Sequence, residues 1–213
     1  MIIFGEEKPM YEPGSGRPHI VGIGGTTRSA SSSEAALRMC LRLAEKLGAS
    51  TAAFVGADLA KLPMYNPGVA ERGEVGAKLA AELRRADGVV IASAGYHGGV
   101  SGLVKNAIDY LEDLREDQRP YLQGMPVGLI ATGAGWQGAV MTLSQLRTIV
   151  HALRGWPTPM GAVINSAEVS FDRDFCTDNA QVAFQLETIA CDLVGFGSKV
   201  TCMAGLGSEG AGQ

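Results

Sequence analysis

The chain is poor in aromatic residues, which make up 6% of its 213 positions, and it holds only four cysteines and three histidines. Cys40, Cys176, Cys191 and Cys202 are scattered, form no Cys-x-x-Cys pair and have no histidine at metal-ligand spacing. That pattern excludes a zinc site and reads as buried free thiols. No run approaches the ~20 apolar residues that a membrane-spanning helix needs. The opening Met1-Ile2-Ile3-Phe4 gives way to Gly5-Glu6-Glu7, which is no secretory leader, so the expected location is cytoplasmic. Lys and Arg number 18 against 22 Asp and Glu, for a net charge of -4, and no basic patch stands out, which argues against a nucleic-acid surface.

Hydrophobic content of 46% over this length suits one globular domain able to bury a sizeable core. Glycine is abundant at 29 residues, many of them at the ends of apolar runs, where backbone can approach a ligand. Residues 1–18, rich in Pro and Gly, read as an irregular arm, and 204–213 as a flexible glycine-rich tail. Between them, over 19–203, apolar runs alternate with helical patterns. Strands are expected at Ile20 to Ile23, Ala52 to Val55, Gly88 to Ala92, Val127 to Ala131 and around Met160 to Ile164. Helices are expected through Ala36 to Leu47, Val75 to Leu83, Val104 to Leu114, Gly138 to Leu153 and Asn179 to Val194. Five strands alternating with helices predict an α/β fold: a doubly wound parallel sheet with helices on both faces, whose ligands sit beyond the carboxyl ends of the strands.

Three strand ends lead into distinctive segments. The first is Gly24-Gly25-Thr26-Thr27-Arg28-Ser29-Ala30-Ser31-Ser32-Ser33-Glu34, which crowds glycines, hydroxyls and one arginine between a strand and a helix. Free helix-start amides, the helix dipole, hydroxyl donors and a guanidinium together suit a phosphate. Ser31 to Glu34 also reads as a capping box, and the two readings can coexist. The second segment runs from Ser93 through Ala94-Gly95-Tyr96-His97 to Gly102, and the third is Thr132-Gly133-Ala134-Gly135-Trp136-Gln137-Gly138. Small residues, exposed amides and an aromatic side chain suit a flat heterocycle reached edge-on. A flat ring with a phosphate suggests a mononucleotide cofactor.

In these segments the sequence resembles the NAD(P)H-dependent FMN reductase family of flavodoxin-like proteins. The family's phosphate loop, Gly-Ser-x-Arg-x-x-Ser-x-Ser/Asn, corresponds to Gly25 through Ser33, with Thr26 keeping the hydroxyl of the usual serine. Its second signature corresponds to Ala94 through Asp109, with Ala94 where proline is usual and Lys105, Asn106 and Asp109 in their family positions. The resemblance spans Pro18 to Asn165. It implies that Thr26, Arg28, Ser31, Ser32 and Ser33 hold the FMN phosphate, that Ala94, Gly95, Tyr96 and His97 line the isoalloxazine edge, and that Thr132, Gly133 and Ala134 donate to the pyrimidine edge. It further implies NADPH or NADH as donor, a homodimer or homotetramer, and reduced flavin passed to a partner monooxygenase or a small acceptor. A quinone, azo or metal-oxyanion reductase and a flavodoxin-like electron carrier are the alternatives. Lys105, Asn106 and Asp109 read as structural or interface residues, and Trp136 as a roof over the ring or as packing beneath its loop.

Other motifs fit less well. Gly22-Ile23-Gly24-Gly25-Thr26-Thr27 begins like a dinucleotide fingerprint but has Thr27 where the third glycine belongs, and the Lys-Ser/Thr of a triphosphate loop is absent. Ile91-Ala92-Ser93-Ala94-Gly95 resembles a nucleophile elbow without its first glycine.

Overall fold

In the computed structural model, which describes residues 17–205 and the side chains of 17–196, the alternating pattern resolves into a sheet between two helical layers. The strands are β1 (His19–Gly24), β2 (Ser50–Phe54), β3 (Gly88–Tyr96), β4 (Gly99–Val100), β5 (Pro126–Gly133), β6 (Trp156–Pro157) and β7 (Ala162–Asn165). The helices are α1 (Ser32–Lys46), α2 (Gly56–Leu59), α3 (Gly73–Arg85), α4 (Gly102–Asp109), α5 (Trp136–Ala152) and α6 (Ala180–Gly205), with a 3-10 turn (Tyr110–Leu114) continuing α4.

The sheet order is β2-β1-β3-β5-β6, with β7 also on β5 and β4 on β3. Pairing is parallel throughout except for the β3–β4 hairpin. Seven strands thus occupy the five expected positions plus a hairpin. Both β6 and β7 lie along β5, at Val127↔Pro157 and Ile130↔Ala162, and share the edge position. Between them the Thr158 hydroxyl donates to the Met160 carbonyl at 2.7 Å, and Pro157 and Pro159 have no amide to offer a ladder. The chain leaves β1 toward β2 on one side and returns to β3 on the other. That reversal opens a crevice above their carboxyl ends, as a flavodoxin-like sheet requires.

The near-continuous apolar strands are buried on both faces, as parallel strands must be. Val21, Ile23, Val89, Ile91, Val127 and Leu129 pack in one core with Leu79, Leu83, Val104, Ile108, Leu146 and Val150 of α3, α4 and α5. Ile20, Val90, Ala92 and Ile130 pack in the other with Leu37, Leu41, Leu186, Ile189 and Leu193 of α1 and α6. Polar groups close the amino-terminal edge. His19 lies with Nδ1 2.9 Å from the Ser50 hydroxyl and Nε2 2.7 Å from the Glu82 carboxylate, while its backbone amide donates to Asp87 at 2.8 Å.

Two readings of the sequence change. Cys40 is buried as expected, but Cys176 and Cys191 are exposed, because they sit on a loop and on the outer side of α6; the Cys202 side chain lies outside the described residues. Helix α6 reaches Gly205, two residues into the segment read as a tail, and most of the expected arm and tail, residues 1–16 and 206–213, lies outside the described residues. No helix among the described residues is long and apolar enough to cross a membrane.

Candidate functional site

The turn from β1 to α1 is held by close backbone packing. Gly25 adopts φ +101°, where a side chain would be strained, and its amide donates to the Ala92 carbonyl at 3.3 Å. On the far side, a Cβ at Gly56 would come within 1.9 Å of the Thr26 carbonyl oxygen. A Cβ at Gly24 would likewise come within 2.3 Å of the Ala92 carbonyl oxygen, so the Gly24-Gly25 pair is explained by the route of the chain.

Ser31 organises the rest of the turn. Its hydroxyl accepts from the Thr26 amide at 3.1 Å and from the Glu34 amide at 3.2 Å, and lies 3.2 Å from the Ser33 hydroxyl. It caps α1 in extended conformation, as the sequence suggested. The reciprocal half of a capping box is absent: the Glu34 carboxylate instead accepts from Arg38 Nε at 2.9 Å. The cap satisfies one amide at the helix start and leaves those of Ser32 and Ser33 without intrahelical partners. The Thr26 hydroxyl accepts from the Arg28 amide at 3.3 Å, and the exposed Arg28 guanidinium engages no group among the described residues. The cap and the unpaired amides occupy the same turn.

The second segment is less of a loop than expected, since β3 continues through Tyr96. Buried Ser93 accepts from the Ser101 amide at 3.0 Å and donates to the Ala94 carbonyl at 2.9 Å, so it is a structural tie and no exposed nucleophile. Gln145 of α5 clamps the hairpin, donating to Gly98 at 3.0 Å and accepting from the Val100 amide at 3.3 Å. Tyr96 is half exposed at the strand's end. In the third segment, β5 runs through Gly133 and Ala134 stands past its last ladder pair.

These parts enclose a cavity of about 330 Å³. Thr26, Arg28, Ser31, Ser32 and Ser33 line one end, Ala94, Gly95 and Tyr96 one wall, and Thr132, Gly133 and Ala134 the other. Of the expected site residues, His97 does not line it. It occupies the hairpin turn at φ +54° with its side chain exposed. Two lining residues went unread in the sequence, Ala30 and Ser166. Ser166 follows β7 and donates its amide to the Gly133 carbonyl at 2.8 Å, so a fourth strand end joins the three recognised ones. The lining holds amides, hydroxyls and one guanidinium but no carboxylate, a donor set for an anion and a flat ring rather than for acid-base chemistry.

Beside the cavity, Trp136 donates through Nε1 to Glu168 at 3.2 Å, and the same carboxylate oxygen accepts from Asn165 Nδ2 at 2.5 Å. The family-position residues on α4 face elsewhere. Asn106 accepts from the Tyr65 amide at 2.8 Å and donates to the Pro63 carbonyl at 2.9 Å, pinning the loop before α3. Lys105 and Asp109 pair with each other at 2.5 Å on the surface.

Comparison with known proteins identifies the family. The family model for NADPH-dependent FMN reductase matches residues 18–169. An NAD(P)H-dependent FMN reductase of Pseudomonas aeruginosa is 31% identical over 156 residues, 72% of this chain and 80% of that protein. An NADPH azoreductase of a Bacillus species is 30% identical over 110 residues, 51% of this chain, and the match spans 58% of that enzyme's length. Among solved structures, FerB, a flavoenzyme NAD(P)H:(acceptor) oxidoreductase of Paracoccus denitrificans, superposes with a TM-score of 0.69 at 22% identity, over 85% of this chain and 98% of its own. A flavodoxin of Streptococcus pneumoniae superposes with a TM-score of 0.54 at 12% identity, over 83% of this chain and 97% of its own, which shows the shared fold. The chain belongs to the NADPH-dependent FMN reductase family, oxidoreductases that act on flavin with NAD(P)H as the electron donor.

Proposed function

We propose that the cavity holds FMN and that the protein is an NAD(P)H-dependent flavin reductase. One observation carries the reading: a turn of hydroxyls and helix-start amides, with a guanidinium that engages no group among the described residues, opens onto two walls of small residues and backbone. The donor set fits the cofactor. Arg28, the Ser32 and Ser33 amides and the serine hydroxyls meet the phosphate; Ala94 and Gly95 leave room for the ring edge; Thr132, Gly133 and Ala134 turn backbone toward the pyrimidine end. When bound, FMN supplies a ring that accepts hydride at N5 from the nicotinamide and passes the electrons on.

The residues bind and orient; none need move a proton. Backbone donors at the pyrimidine end favour the negative charge of the reduced ring and so raise its potential. Tyr96 borders the ring; Trp136, two residues past the lining residue Ala134, does not line the cavity, and its indole is held by the Glu168 carboxylate. Stacking the nicotinamide on the ring makes the two substrates successive occupants of one place, which gives ping-pong kinetics when FMN stays bound.

The acceptor is a free flavin used by a monooxygenase or a small quinone or azo compound; the names of the azoreductase relatives favour the small acceptor as the second reading. Trp136, Val140 and Met141 of α5 are each about half exposed, an apolar surface that suits a homodimer.

Steady-state oxidation of NADPH by purified protein supplied with FMN tests the proposal. Turnover with flavin, quinone or azo acceptors is expected. Flavin binding without turnover on either nicotinamide would leave an electron carrier in its place.

A further inference from the structure

The cavity described above is one of two that meet at the phosphate loop. A second cavity of about 540 Å³ shares Ala30, Ser31, Ser32 and Ser166 with it and continues along the outer side of the first turn of α1, under the segment that joins β7 to α6. Three of the shared residues, Ala30, Ser31 and Ser32, belong to the phosphate end, and Ser166 stands across from them beside Gly133. A ligand whose phosphate rests there has room to continue past it.

The lining of the second cavity has two kinds of surface. Val169 and the half-buried Phe171 and Phe175 supply apolar and aromatic area. Phe175 is fixed from beside the cavity by two guanidiniums, Arg38 at 5.3 Å and Arg42 at 5.8 Å from its ring centre. The polar lining includes Arg173, Ser29 and Ser170, together with two carboxylates, Glu34 and Asp172. Both carboxylates are engaged. Glu34 pairs with Arg38 at 2.9 Å, and Asp172 accepts from the Asp174 amide at 2.9 Å and the Cys176 amide at 2.8 Å. The Arg173 guanidinium has no partner among the described residues. Arg173 thus brings an unpaired positive charge to this space, the Glu34 charge is offset by Arg38, Asp172 is held by backbone amides, and Arg28 stands in the first cavity next to the shared residues.

A flat aromatic base, a sugar to meet serine hydroxyls and a phosphate between two arginines match that surface. We propose that the second cavity is an adenylate subsite. The inference rests on the FMN reading of the first cavity. Two molecules carry an adenylate to this place: FAD, in which it is joined to the same phosphate that FMN carries, and the dinucleotide donor, whose nicotinamide end must lie over the flavin. The volume lies in the range of small-molecule pockets.

Equilibrium titration of full-length protein with FMN and with FAD, followed by flavin fluorescence, tests the flavin source. Wild-type protein is expected to bind both, and Arg173→Ala and Phe175→Ala are each expected to weaken FAD by about tenfold or more while FMN, the folding control, changes less than about twofold. The FMN-loaded enzyme tests the donor source. There the same variants are expected to raise KM for NADPH while KM for dihydronicotinamide mononucleotide, which lacks the adenylate, is unchanged. A selective loss in the FAD titration assigns the adenylate to the flavin, and a selective rise in KM for NADPH assigns it to the donor. FMN binding with neither effect overturns the subsite alone. Failure of wild-type protein to bind FMN overturns the reading of the first cavity and this one with it.

Discussion

Arg28 contributes what neither the cap nor the glycine turn requires, a charge at the cavity that no group among the described residues neutralises. Removing it as Arg28→Ala should weaken FMN by about 1.5 to 3 kcal/mol while leaving riboflavin, which has no phosphate, unaffected in parallel titrations. Equal losses for both ligands would mean that the loop holds something other than the phosphate. Ser31 differs because its hydroxyl serves the loop and the helix at once, through Thr26 and Glu34. Ser31→Ala should lower stability by about 1 kcal/mol in urea denaturation and weaken FMN as well. Ser101→Ala removes the cap of α4, where the hydroxyl accepts from the Val104 amide at 3.3 Å, and should lower stability alone. The thiols separate just as sharply. Native-state alkylation read by mass spectrometry should label Cys176 and Cys191 and spare Cys40, whose thiol burial pushes up to about 12.

Among the elements, α1 and the strands were legible because their signals are local: apolar alternation, helical spacing, a serine where a cap belongs. The turn from β1 into α1 was legible for the same reason, since it is one continuous run with its cap residue inside it. What escaped depends on distant contacts. Ser166 looks like any loop serine until β7 pairs with β5 and sets it beside Gly133. His97 shares a segment with Ala94 to Tyr96 but is turned away by a hairpin that Gln145, some fifty residues on in the chain, holds in place. The divided edge strand followed from prolines visible in the sequence, yet its split shows only against β5. Asn106 is a motif residue that proves to be a tie between elements. Asn106→Leu strands the Tyr65 amide and leaves the Pro63 carbonyl to the Tyr110 hydroxyl alone, and should lower stability by about 1 to 3 kcal/mol while leaving FMN affinity unchanged, as measured by urea midpoint and flavin titration.

For the whole molecule, the buried Cys40 thiol ties folding to alkaline pH. Below its ordinary value of 9.0 the thiol is neutral folded and unfolded, and its contribution is complete; as pH rises toward about 12 the unfolded chain ionises first and stability drains away. Cys40→Ala should therefore lower the denaturation midpoint near neutral pH yet flatten its fall across the alkaline range. The sheet itself has two unlike ends. At the amino-terminal edge His19, Ser50, Glu82 and Asp87 consume one another's hydrogen-bonding capacity, while at the carboxyl-terminal edge amides, hydroxyls and the Arg28 guanidinium stand open. Adaptation can consequently rewrite the open end, trading one acceptor or flavin for another, while the closed end keeps the scaffold registered. A lineage built this way can diversify its chemistry without renegotiating its fold.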